Sequence, residues 1–133
     1  ITLCRSLNTL DVISKGRIIL AAGVGGAFTN SQIQEWNNVN VNPNQRTKRL
    51  EEIIEIFKLS SSGKPFSFSG DHFNFENITI KPSSIQKPHI KLFGVAQSKP
   101  FQKIDFNLGN ISNIKSKNFM QDFIDDAEKR NRH

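Results

Sequence analysis

Apolar residues recur along the chain with two different periods. Leu3, Leu7 and Leu10 fall at helical spacing, so residues 2–14 are expected to form a helix with one apolar face. Gly16 follows as a stop suited to the left-handed C-terminal position. The run Ile18 to Ala22 is continuously apolar and breaks into Gly23, Val24, Gly25 and Gly26. Residues 17–25 therefore read as a buried strand closed by a tight turn. Residues 31–39 read as a short helix capped by Ser31 or Asn30, and the Asn-rich stretch broken by Pro43 reads as a loop. The clearest helix spans 44–60: Leu50, Ile53, Ile54 and Phe57 fall at i, i+3, i+4, i+7, with Lys48 and Glu52 on the solvated face.

Beyond it the period shortens. "FSFSG" and "HFNFEN" alternate apolar and polar residues around Gly70–Asp71, which predicts a hairpin with a two-residue turn. Residues 78–82 form a short extended piece, 83–89 a loop and 90–95 a second buried strand. Residues 117–130 place Met120, Phe123, Ile124 and Ala127 on one helical face. Two apolar strands separated by helices are expected to be parallel neighbours in an α/β sheet.

Composition narrows the class. The chain has 133 residues, enough for one domain, and 36% hydrophobic content with 11 Phe argues for a folded core. No stretch approaches the roughly 18 apolar residues of a membrane helix, and "ITLCRSLNTL" lacks the features of a signal peptide. The absence of an initiating Met reads as a piece of something longer. The single cysteine, Cys4, makes no intramolecular disulfide and points to a reducing, cytoplasmic setting; on an apolar helix side it reads as core. The net charge of +6 is spread over the chain, with small groups at 46–49 and 129–132. A solvated surface accounts for it, and a nucleic-acid-binding module has charge alone in its favour. Neither nucleic acid nor membrane is expected as a partner.

Side chains for catalysis are sparse. His72, His89 and His133 share no metal-ligand spacing and read as turn or surface residues; no metal site is expected. Asp125 and Asp126 read as a solvated helix face. Arg17 is expected to pair a carboxylate near the start of the strand.

Three spaced segments then carry a resemblance. "TLDVISKGRIILAAGVGG", "RTKRLEEIIEIFK" with its paired Arg46 and Arg49, and "GKPFSFSGDHFNFENITIKPSSIQKPH" occur in the order found in the luciferase-like monooxygenases. The chain resembles that family from about Leu3 to Val95. The resemblance implies a (β/α)8 barrel, of which this chain is a fragment: a partial barrel of parallel strands and helices with a small extended insertion. Such a barrel takes about 250 residues. Roughly half is expected here, matching the middle of the family, with the rest, or a companion chain, completing it.

The same resemblance implies an oxidoreductase using FMN or a deazaflavin coenzyme on a small-molecule substrate. The flavin branch acts on paired donors with incorporation of oxygen. The alternatives are a deazaflavin-dependent hydride transfer and a shortened, non-catalytic flavin-binding relative. On spacing alone, the glycine turn fits either a plain tight turn or the close approach of a ligand. The resemblance implies cofactor binding by Gly23, Val24, Gly25 and Gly26, with Thr29 and Asn30 available for a polar edge. A second strand end, Gly94, Val95 and Ala96, is implied to contribute backbone contacts. In the deazaflavin branch an acidic residue often follows the second glycine; here that position is Gly26, so no catalytic residue is assigned.

Overall fold

The computed structural model describes residues 1–95 and the short strand at 106–107. The chain begins with helix α1 (Thr2–Ile13) and strand β1 (Leu20–Gly23), then α2 (Asn30–Asn38), a 3-10 turn (Pro43–Gln45) and α3 (Arg46–Ser61). A hairpin of β2 (Phe66–Ser69) and β3 (Asn74–Ile78) follows, then β4 (Leu92–Val95) and β5 (Phe106–Asn107). β1, β4 and β5 form one sheet in that order, and both pairings are parallel. This is the α/β arrangement expected of two apolar strands joined through helices. The expected helix at 117–130 lies outside the described residues, as do His133, Asp125 and Asp126.

In β1, Leu20 and Ala22 face α3, where Ala22 packs with Ile54 and Leu92, and Leu20, Val24 and Leu50 close around them. A larger cluster joins Cys4, Ile56, Phe57, Ile80 and Ile90 beneath the hairpin. Cys4 is buried, as its place on the helix implied.

α1 departs from its apolar pattern. Its buried residues are Cys4, Asn8 and Asp11, whereas Leu3 and Leu10 are 55% and 51% exposed. The reason is a polar network rather than an apolar contact. Asp11 Oδ2 accepts from Ser84 Oγ (2.6 Å), Ile85 N (2.8 Å) and Gln86 N (3.0 Å), and Oδ1 accepts from Gln86 Nε2 (2.8 Å). Gln86 Nε2 also donates to the Ile18 carbonyl (2.8 Å). Asn8 Nδ2 donates to the carbonyls of Pro82 (2.9 Å) and Ser60 (3.3 Å). Burial alone would raise the Asp11 carboxyl pKa, but the Ser84, Gln86 and Ile85 hydrogen bonds outweigh it and hold the group below its usual value. Two of the sequence motifs, Thr-Leu-Asp and Gln-Lys-Pro-His, thus meet through one buried carboxylate at the N-terminal end of β1.

The left-handed residue that follows the Ser14 cap of α1 is Lys15 (φ +56°); Gly16, next along and also left-handed (φ +76°), donates its N–H to the Asp11 carbonyl (2.9 Å). β1 is shorter than the apolar run because the Ile18 carbonyl is taken by Gln86; the ladder starts where Leu20 N donates to Lys91 O (2.9 Å). Arg17 Nε donates to the Ser14 carbonyl (2.7 Å) rather than to a carboxylate. His89 is buried, not superficial: its Nδ1 lies 2.9 Å from the Ile90 carbonyl, and its ring meets Phe57 edge-on at 6.2 Å.

The hairpin loop also differs from expectation. Ser69 pairs with Asn74, and inside that pair Gly70 N donates to the Phe73 carbonyl (2.9 Å), so the tight turn falls on Asp71–His72, one residue beyond Gly70–Asp71. Glu52 explains it. Its carboxylate accepts from three successive backbone N–H groups, Asp71 (2.9 Å), His72 (3.0 Å) and Phe73 (3.0 Å), so Phe73 N bonds Glu52 instead of returning the hydrogen bond to Gly70. Glu52 is therefore a clamp from α3 to the hairpin and not part of a merely solvated face. Glu52→Ala is expected to lower stability by about 1–3 kcal/mol, the range for hydrogen bonds to a charged acceptor. Urea unfolding of the variant against the parent protein checks this.

Candidate functional site

The two apolar strands end side by side. Ala22 is in register with Gly94 and Gly23 with Val95, so the glycine turn after β1 and the end of β4 open at the same edge of the sheet. The Asp11 network closes the opposite edge, which leaves the C-terminal edge as the one built from small residues and turns. In parallel α/β sheets this is where ligands bind. Ile19, Ala21 and Gly23 are exposed on the sheet face turned away from α3. Among the described residues, β1 is an outer strand with one neighbour.

The turn itself is held by α2. Thr29 is the N-cap: its side chain accepts from Gln32 N (3.3 Å), and its Oγ1 shares a hydrogen bond with Ser31 Oγ (3.0 Å). Gln32 Oε1 in return accepts from Phe28 N (2.8 Å) and Thr29 N (3.2 Å). This reciprocal box satisfies helix-end donors that would otherwise be unpaired. One turn further along α2, Trp36 Nε1 donates to the Gly26 carbonyl (2.8 Å).

Gly25 needs to be glycine, and the side-chain direction of Gly26 is taken by Gln32. Gly25 has φ +71°, and a Cβ on it would lie 3.0 Å from Trp36 Cζ2. A Cβ on Gly26 would lie 2.6 Å from Gln32 Nε2. The side-chain directions of both glycines are thus occupied by α2. Gly23 and Gly25 are exposed, while Val24 is half-buried against the second core cluster. Thr29 spends its hydroxyl on capping, and Asn30 is exposed as the first residue of α2. Phe28, between them, is 83% exposed. Gly94 is buried in β4, Val95 ends that strand, and Ala96 lies outside the described residues.

The arrangement suits a flat, polar-edged cofactor. The exposed edge offers backbone without bulky side chains at Gly23 and Gly25, and an exposed aromatic ring at Phe28. Among the described residues, no cluster of three or more His, Cys, Asp or Glu could hold a metal ion. Gln32, Trp36 and Phe28 carry no motif of their own. The signal that could have found the first is the Thr29-x-x-Gln32 spacing of a capping box; Trp36 then follows at i+4 on the same helix face.

Comparison with known proteins fits this geometry. The model of the luciferase-like monooxygenase family matches residues 1–102. An FMNH2-dependent dimethylsulfone monooxygenase of Pseudomonas putida is 30% identical over 95 residues, covering 71% of this chain and 26% of that protein. A 5,10-methylenetetrahydromethanopterin reductase of Archaeoglobus fulgidus is 28% identical over 82 residues, covering 60% of this chain and 23% of that protein. Among solved structures, a monooxygenase from Streptomyces bottropensis superposes with a TM-score of 0.62 at 23% identity, covering 71% of this chain and 27% of that one. An F420-dependent secondary alcohol dehydrogenase gives 0.56 at 20% identity, covering 71% and 28%. The matched part of the chain spans about a quarter of the length of the curated relatives. No helix among the described residues is long and apolar enough to cross a membrane.

Proposed function

Since this chain belongs to the luciferase-like monooxygenase family, we propose that it forms the cofactor-facing part of a monooxygenase dependent on reduced FMN. The observation that carries the reading is the parallel register of β1 and β4, which brings two glycine-bearing strand ends to one edge. Gly23, Val24, Gly25, Gly94 and Val95 would hold the cofactor through their backbone. Thr29 and Asn30 lie at its rim. When bound, reduced flavin supplies the chemistry of dioxygen activation, with oxygen incorporated into a small organic substrate. The task of this chain is to hold the ring and to keep the glycine turn in shape.

The turn also favours flavin over a deazaflavin. Position 26, where the deazaflavin branch often has an acid, is glycine here, and the Gln32 amide that ties Phe28 N and Thr29 N to α2 lies in its side-chain direction. The outer edge of β1, the exposed Ile19–Ala21–Gly23 face and the exposed Leu10 and Ile13 of α1 support a further point. They suit cover by the remaining strands and helices of a barrel, or by a companion chain, which would contribute the substrate pocket.

Titration of the protein with FMN and, in parallel, with a deazaflavin coenzyme tests the reading by the visible absorption spectrum. Saturable binding of FMN, tighter than that of the deazaflavin, is expected. Tighter deazaflavin binding would transfer the assignment to hydride transfer, and binding of neither would remove it.

A further inference from the structure

α2 buries none of its nine residues. A surface helix with no buried residue adds little to the core, so the contacts it does make carry its purpose. Its side-chain hydrogen bonds to residues outside the helix converge on one loop. Gln32 and Trp36, four residues apart and hence on one face, take the Phe28 and Thr29 N–H groups and the Gly26 carbonyl respectively. The two side chains also fill the positions that Cβ atoms on Gly25 and Gly26 would need.

We infer that Gln32 and Trp36 are positioning residues for the cofactor. They fix the backbone of Gly25 to Thr29 from behind, leaving its other side for the ring, an inference that rests on the flavin reading above. A loop of three glycines left alone would sample many conformations, and ordering it on binding would cost affinity. The Trp36 N–H bond and the bidentate use of Gln32 Oε1 remove that cost in advance. Both residues act through the loop; neither needs to touch the flavin.

The composition provides a direct probe. Trp36 is the only tryptophan and the chain has no tyrosine, so its ultraviolet emission reports this loop alone. Emission from the parent protein is expected to change on titration with FMN. Trp36→Phe keeps a ring against Gly25 but removes the N–H donor. It is expected to bind FMN about three- to tenfold more weakly, the equivalent of one net hydrogen bond, with only a small fall in melting temperature. Gln32→Ala should weaken binding similarly, and Gln32→Glu should restore it, since a carboxylate still accepts from both N–H groups. A purely structural role would move melting temperature without this pattern in affinity. If the parent protein binds FMN and both Trp36→Phe and Gln32→Ala bind it equally well, the positioning role is wrong while the flavin reading stands. If the parent protein does not bind FMN, the flavin reading falls and the positioning role with it.

Discussion

Replacing Asp11 by alanine is expected to lower the unfolding free energy by about 3–5 kcal/mol, enough to unfold many single domains. The carboxylate is fully buried and accepts four hydrogen bonds from residues 84–86, seventy-three or more positions away in sequence. Alanine would leave the partly buried Ile85 and Gln86 N–H groups without their acceptor. It would also free the Gln86 side chain that bridges to Ile18 and, through Oε1, to Lys91 N (3.3 Å). Asp11→Asn keeps the shape but turns an N–H2 toward donors, so it should recover only part of the loss. Urea unfolding measures both. The pH dependence has a definite sign. The folded-state pKa lies below the ordinary value of about 3.9. The stabilisation is therefore complete above that unfolded-state value and is lost as the pH falls through the folded one. Asp11→Asn should flatten that acid limb; an unchanged limb would show that the network does not hold the ionised form.

The second large effect is expected at Phe57. Phe57→Ala should cost about 3–5 kcal/mol, the range for a large aromatic removed from a core. The ring is 2% exposed, belongs to the cluster of Cys4, Ile56, Ile80 and Ile90, and meets the His89 ring edge-on. Its helix, α3, also carries Glu52 to the hairpin and Ile54 to the sheet, so the cavity would lie where three layers meet. Phe57→Leu fills part of the volume and should lose less. Equal losses for the two variants in urea unfolding would mean that packing at this position does not set stability.

The legible parts of the fold are those built on apolar repetition. The period of Leu50, Ile53, Ile54 and Phe57 marks α3, and the runs ending at Gly23 and Val95 mark β1 and β4 as parallel neighbours. Hydrophobic period cannot report residues buried by hydrogen bonding. Asn8 and Asp11 look like the polar side of α1 because their partners lie in residues 60 and 82–86. Glu52 looks solvated because its three N–H partners lie across the hairpin loop. At the candidate site, the glycines announce a tight turn, but the reason for two of them lies in α2. The contacts of Trp36 and Gln32 with Gly25 and Gly26 arise only once the loop has folded back on that helix.

The central claim is that a reduced-flavin cofactor is held at the glycine-bearing ends of β1 and β4. The most direct measurement is a two-dimensional amide spectrum of 15N-labelled protein during titration with FMN. The account predicts saturable shifts concentrated at Gly23, Val24, Gly25, Gly26, Gly94 and Val95, with the Trp36 indole N–H moving alongside them. The amides of residues 84–86, at the opposite edge around Asp11, should stay in place. Shifts confined to that opposite edge or to the hairpin, or no saturable shifts at all, would contradict it.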